Sequence, residues 1–396
     1  MIASKDLKIY FPNLNGLRFI GAFFVIINHT EQLKVFYKIG DGVSDFARNI
    51  GKLGVMLFFV LSGFLITYLL LTEEKTFGKI HVKKFYIRRF LRIVPLYALL
   101  ILLAFFVIPY ISFFEIPDLA NPLIENFTPI ILLHLFFIPN FATAIFGFIP
   151  YIAQAWSIGT EEQSYLLWPF LLREIKSNRI YFMIGIVLLH FFVRVILSDQ
   201  FFIQIPEREI LQKFWVHFNI DAIAIGSIFA ILFIDKSAIL KYILNIKFFY
   251  LISFIVILFL ALAIKIPHFH YQVYAILFGV IVLNLAVNDK LKNVLEWNVL
   301  NYLGKISYGI YMYHFIVLIP VLVFASKIKT DSIILIYSLI LTITIFISSI
   351  SYHYFETFFL NKKRKYTLIK SGDPITLLKK GQQTTNNKQQ TTKNNK

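Results

Sequence analysis

Leu53 to Thr72 reads LGVMLFFVLSGFLITYLLLT, between Lys52 and the charged run Glu73-Glu74-Lys75. No Asp, Glu, Lys, Arg or His occurs in it. Twenty residues at 1.5 Å each make a helix of about 30 Å, the thickness of bilayer hydrocarbon. Stretches of similar length recur at 17–36, 90–112, 156–173, 180–198, 215–234, 248–265, 271–288, 306–326 and 332–354, which predicts about ten transmembrane helices. An eleventh apolar stretch, 129–149, is interrupted by Pro139-Asn140 and ends at Pro150, so it reads as a re-entrant or interfacial segment. The expected fold is all-α, a polytopic integral membrane helical bundle.

Composition agrees. Of 396 residues 58% are hydrophobic and only 15% charged, against about 45–50% apolar and about 25% charged in soluble domains. That excludes a soluble enzyme, a disordered chain and an ordinary nucleic-acid binder. Forty-four Phe and many Ile do not suit a transmembrane barrel, whose strands alternate apolar and polar. With no Cys there is no disulfide framework, thiolate metal site or Cys nucleophile. The His residues are scattered over different spans, so no metal site is expected.

The net charge of +17 follows the bias of Lys and Arg toward cytoplasmic loops. Ten spans with a cytoplasmic N-terminus put Lys83, Lys84, Arg88, Arg89 and Arg92, and the cluster Lys362 to Lys365, on the inside. Counting 129–149 as a full span would invert every loop after it. The expectation is a multi-pass protein of the cell (inner or plasma) membrane, with both termini cytoplasmic and no cleavable signal peptide. Residues 1–360 form the membrane domain, and 361–396 a basic, low-complexity tail expected to be disordered.

Polar residues inside spans are costly and mark function by default. Four places stand out. Arg18 and His29 share the first span, and eleven residues separate them by about 16 Å of helix. A neutral imidazole near the midplane can act as a general base without burying a permanent charge; the alternative is a histidine that merely bonds a neighbouring helix, with Arg18 as an interfacial anchor. Arg88, Arg89 and Arg92 stand at the mouth of the third span with helical spacing. They suit a phosphate clamp, or a stop signal that also attracts anionic membrane lipid. Trp156 to Gln163 holds Glu161 and Glu162, which serve either chemistry or a helix N-terminus. Ser307, Tyr311 and His314 share one face of the ninth span, as a substrate contact or as a polar seam between helices. Asp221, four residues after His217 in the sixth span, is a further candidate for substrate binding.

The ordered set resembles the acyltransferase-3 family of membrane acyltransferases, from about Asn13 to Phe358. Its pieces are Asn15-Gly16-Leu17-Arg18 with His29; Leu57 to Ile66; Arg88-Arg89-Phe90-Leu91-Arg92-Ile93-Val94-Pro95; Trp156 to Pro169; and Gly304 to His314. The resemblance implies transfer of an acyl group, acetyl first among them, from cytosolic acyl-CoA to a hydroxyl of a carbohydrate or lipid-linked glycan of the cell envelope. By position, His29 matches the family's essential histidine and Arg18 its partner. Arg89 and Arg92 match its Arg-x-x-Arg motif, and Glu161 the glutamate before Gln-x-Tyr-Leu. Asn15 stands where the family commonly has Asp, and Asn219-Ile220-Asp221 where it often has Arg-x-Asp; both departures concern the acceptor rather than the reaction class.

The expected mechanism docks the CoA phosphates on Arg89 and Arg92, with Arg18 and Arg88 beside them. His29 deprotonates an acceptor hydroxyl that enters from the outer side near Glu161, and the alkoxide attacks the thioester. An acyl-enzyme on histidine, or on Ser62 or Ser307, is the alternative route. Acyl-CoA is then a donor substrate, and no permanently bound cofactor, metal or nucleic acid is expected. The rival class is a transporter or flippase for a glycan or anionic solute, which would explain the midplane His and Arg as a substrate path.

Overall fold

The computed structural model describes residues 8–40, 42–119, 122–198 and 206–371. Helices α1 (Leu14–Phe36), α2 (Asp45–Phe77) and α3 (Val82–Phe106) come first. Three short pieces, α4 (Pro122–Glu125), α5 (Phe127–Leu135) and α6 (Pro139–Phe146), lead to α7 (Ala155–Glu174) and α8 (Arg179–Ser198). Next are α9 (Arg208–His217), α10 (Ile220–Ile234), α11 (Leu240–Ile243), α12 (Ile246–Ala261) and α13 (His270–Val287). Last come α14 (Asn298–Lys305), α15 (Ser307–Lys327) and α16 (Ile333–Ile350), then a π-helical turn at Ser351–Glu356 and α17 (Thr357–Arg364). A two-residue parallel pairing of β1 (Lys8–Ile9) with β2 (Lys370–Ser371) joins the two ends of the described chain. Residues 372–396, most of the expected disordered tail, lie outside the described residues.

Among the described residues seven helical stretches are long and apolar enough to cross a membrane: Asp45–Phe77, Val82–Tyr110, Arg179–Ser198, Arg208–Ile234, His270–Val287, Ser307–Lys327 and Ile333–Arg364. The helical membrane bundle expected from the sequence is present, but by this measure the count is seven rather than ten. The other three expected spans are also helices. α12 is short, at 16 residues. α1 carries Arg18, His29, Glu31 and Lys34, and α7 carries Glu161, Glu162, Arg173 and Glu174, so both are diluted in apolar content. These two helices carry His29 and Glu161.

The interrupted segment folds as α5 and α6, of nine and eight residues. Each is about 12–14 Å long, too short to span. α6 lies against α7 through a reciprocal amide pair: Asn140 Nδ2 donates to Gln163 Oε1 at 3.1 Å and Gln163 Nε2 to Asn140 Oδ1 at 2.9 Å.

α2 is the spine, packed most extensively on α10 and α1. Two small residues set the α2–α10 approach. A Cβ on Gly63 would lie 2.0 Å from the Ile223 oxygen, and one on Gly226 2.1 Å from the Val60 oxygen. Close backbone contact of this kind is how membrane helices associate where apolar burial brings no gain against lipid. A buried polar link ties α7 to the same pair, with Trp168 Nε1 donating to Thr67 Oγ1 at 2.9 Å and Thr67 Oγ1 to Ser227 Oγ at 2.7 Å. On the outside, α8, α12 and α16 expose Phe192, Phe254, Ile257 and Phe346, as helices that face lipid do.

Candidate active site

α1 is fixed at both ends. Asn13 donates from Nδ2 to the carbonyls of Leu285 (2.8 Å) and Leu291 (2.9 Å), and its Oδ1 accepts from Leu295 N (2.7 Å). Near the other end Asn28 Nδ2 donates to Ala47 O at 2.6 Å, which pins α1 to the start of α2. Arg18 and His29 are held between these anchors.

His29 meets α15. Its Nδ1 lies 2.8 Å from His314 Nε2, with the two rings within 10° of parallel. His314 Nδ1 in turn lies 2.7 Å from the Tyr311 carbonyl oxygen. A carbonyl only accepts, so the network assigns the His314 proton to Nδ1. Neutral His314 then presents a bare Nε2, and His29 donates to it from Nδ1. His29 is left with an unprotonated Nε2, the form of imidazole that takes a proton. His314 is fully buried while the His29 ring is partly exposed, flanked edge-on by Phe315 at 5.3 Å.

Tyr311 joins this pair to α7. Its hydroxyl lies 2.6 Å from Ser157 Oγ and 3.0 Å from the Gln154 oxygen. Gln154 Nε2 donates back to Met312 O at 2.7 Å. Of the three residues sharing a face of the ninth span, His314 thus meets His29 and Tyr311 holds His314. The third does neither: Ser307 Oγ donates to Gly304 O at 2.8 Å, inside the turn that opens α15.

About one turn beyond Ser157 along α7, Glu161 accepts from Ser62 Oγ at 2.8 Å. Its charged neighbours are Arg89 and Arg18. Glu161 therefore belongs to the arginine end of the bundle, whereas an outer position beside the incoming acceptor was expected. Arg18 donates to Asn15 Oδ1 at 2.9 Å and feels the charges of Arg92 and Arg89 before that of Glu161. Arg89 lies 5.2 Å from the ring of Tyr165 and 5.6 Å from that of Phe85. Arg18, Arg89 and Arg92 have no ion pair among the described residues. Arginines gathered in this way, with Glu161 as the carboxylate beside Arg18 and Arg89, have the chemistry to receive an anion.

Arg88 is occupied elsewhere. Its Nη2 pairs with the buried Glu73 at 3.1 Å and its Nη1 donates to the Tyr366 carbonyl at 3.0 Å. Asp221 is also apart from the His29 pair. The chain leaves helix at Phe218–Asn219, between α9 and α10, so His217 and Asp221 do not share one helix face. Asp221 instead takes Gln272 Nε2 at 2.7 Å and lies 3.3 Å from His190 Nδ1.

Two residues outside the sequence candidates join the arginine end. Glu356, brought inward by the π-helical turn, is buried and feels Arg92. Lys363 adds a fourth cation beside Arg92, Arg89 and Arg18. Both come from the chain end farthest in sequence, and no local spacing signals them. Among the described residues no three His, Asp or Glu side chains are grouped as a metal would require.

A profile of the acyltransferase-3 family, described as an acyltransferase domain, matches residues 11–353. A peptidoglycan O-acetyltransferase, OatA, of Listeria monocytogenes is 32% identical over 176 residues, covering 42% of this chain and 25% of that protein. The O-acetyltransferase OatA of Staphylococcus aureus is 26% identical over 390 residues, covering 88% of this chain and 57% of that protein. The chain thus spans a quarter to rather more than half the length of these relatives. No solved structure matches.

Proposed function

From the acyltransferase-3 family, to which this chain belongs, we propose that it transfers an acetyl group from cytosolic acetyl-CoA to a hydroxyl of a cell-envelope carbohydrate. The observation that carries this reading is the His29–His314–Tyr311 chain. It leaves His29 Nε2 as an unprotonated ring nitrogen on a partly exposed residue.

Arg18, Arg89 and Arg92 would hold the donor's phosphates. Along α1, Arg18 and His29 stand about 16 Å apart. That separation suits a donor whose phosphates and reactive carbonyl lie at opposite ends of an extended arm. His29 Nε2 takes the proton of the acceptor hydroxyl as its oxygen bonds to the thioester carbonyl carbon. Collapse of the tetrahedral intermediate breaks the carbon–sulfur bond, and the thiolate leaves with the proton returned from His29 Nε2. The positive charge on His29 during this step is stabilised by donation from Nδ1 to His314, whose own orientation is held by the Tyr311 carbonyl. Glu161 is a positioning residue: it accepts from Ser62 and balances part of the charge of Arg18 and Arg89. A direct transfer, without an acyl-enzyme, requires no protein nucleophile, which agrees with a chain lacking Cys.

The test is radiolabel transfer from acetyl-CoA into glycan by membranes that contain the protein, supplied with the host's glycolipid fraction. Label in the glycan supports the reading. A glycan moved across the membrane unlabelled and unchanged in mass would contradict it and favour a transporter.

A further inference from the structure

One cluster of intramembrane charge takes no part in this chemistry. It lies where α2, α8, α10 and α13 meet. Lys52 Nζ stands 4.0 Å over the ring of Tyr271, and the Arg194 guanidinium carbon stands 5.6 Å from the centre of the same ring. Lys52 donates to the Val216 carbonyl at 2.9 Å, and Arg194 Nη1 reaches Gln272 Oε1 at 3.5 Å. Neither cation has an ion pair among the described residues. Below them Asp221 is buried, with Oδ2 accepting from Gln272 and Oδ1 left without a partner. His270 Nε2 is likewise buried and unpartnered.

Two cations beside a single buried carboxylate leave positive charge in excess inside an apolar bundle, and its retention points to an anion supplied from outside the chain. The two side chains are partly exposed, and so they can be reached.

Position connects this cluster to the base. A Cβ on Gly51 would lie 2.4 Å from the Asn28 Cβ, so the start of α2 at Gly51-Lys52 stands level with Asn28-His29 on α1. Trp156 is linked to both places through its neighbours. Its ring packs edge-on against His217 at 4.9 Å, on the Lys52 side, and the next residue, Ser157, bonds Tyr311 beneath His314. An aromatic face next to polar donors is the ordinary way a protein holds a sugar ring.

We propose that this cluster is the acceptor subsite and that it takes a glycan bearing an anionic substituent, carboxylate or phosphate. Lys52 and Arg194 grip the anion and Trp156 supports the ring, so that a neighbouring hydroxyl is presented toward His29. The assignment of the ligand as acceptor rests on the acetyltransferase reading; the charge recognition does not.

The test is binding without donor, followed by tryptophan fluorescence and calorimetry on the purified full chain. The probes are a disaccharide with a uronic acid, its phosphorylated counterpart and the neutral parent. At least one anionic form should bind ten-fold or more tightly than the neutral one. Lys52→Met and Arg194→Gln should each abolish most of that preference, while Lys52→Arg keeps it. If Lys52→Met does not fold, Arg194→Gln and Lys52→Arg still decide the matter. Equal binding of all three sugars, or unchanged preference in the variants, would overturn the proposal. Charge-selective binding without label transfer from acetyl-CoA would leave the subsite and remove the enzyme; transfer without charge selectivity would do the reverse.

Discussion

Removing His314 tests the relay more sharply than removing the base. His314 contributes no atom to the transferred group, yet it accepts the His29 Nδ1 proton across 2.8 Å and is itself fixed by Tyr311 O at 2.7 Å. His314→Ala deletes the acceptor that stabilises His29 as it charges. A hydrogen bond to a charged group contributes about 1.5–3 kcal/mol, and about 1.36 kcal/mol of barrier is tenfold in rate. The expected loss in kcat is therefore about 10- to 160-fold. The donor KM should stay near wild type, because the arginines that would hold the phosphates are untouched. His314→Gln offers a carbonyl oxygen in place of the bare nitrogen and should recover part of the loss. The assay is steady-state transfer from labelled acetyl-CoA by purified protein in detergent, with a thermal melt to show that each variant folds. A folded His314→Ala with wild-type kcat would refute the reasoning. So would an unchanged kcat with a raised donor KM, since it would place His314 in donor binding instead.

Other outcomes follow from the remaining geometry. Arg89→Ala and Arg92→Ala should raise the donor KM about ten-fold or more each with little change in kcat, read from donor titrations. Glu161→Gln keeps a partner for Ser62 but removes the charge between Arg18 and Arg89; a kcat drop of about ten-fold is expected, larger than for Ser62→Ala. Gly63→Ala forces a Cβ to within 2.0 Å of the Ile223 oxygen, so it should lower stability by about 1–3 kcal/mol, seen as a lower thermal midpoint in detergent. Arg88→Ala breaks the ion pair with buried Glu73 and should reduce yield and melting temperature more than it alters donor KM.

The helices were legible because apolar length is a one-dimensional property. Leu53–Thr72 lies within Asp45–Phe77, and the interruption at Pro139-Asn140 separates two helices too short to span. The count was less legible, since a helix such as α7 trades apolar residues for chemistry and packs inside the bundle, so composition underrates it. Arg18, Arg89 and Glu161 each stand out in the sequence as polar residues of apolar spans, but neither their gathering at one place nor their depth follows from it. Glu161 looked like an outer residue because it lies near the start of its span, yet six residues of helix carry it about 9 Å inward. His29 and His314 are separated by 285 positions, and nothing in either segment specifies that they share a proton. The break at Phe218–Asn219 was invisible for a similar reason: the i,i+4 spacing of His217 and Asp221 holds only if the helix runs through, and the Asn219 side chain bonds the Val216 (3.0 Å) and His217 (2.9 Å) carbonyls instead.

The central claim is that His29 Nε2 is the base of a direct acetyl transfer to an envelope glycan. Single-turnover transfer from labelled acetyl-CoA, compared between wild type and a folded His29→Ala, tests it most directly. The account predicts label in the glycan with wild type and a loss of about 10²- to 10⁴-fold with His29→Ala, the range of general-base catalysis, with donor binding retained. Transfer by His29→Ala at the wild-type rate would contradict it.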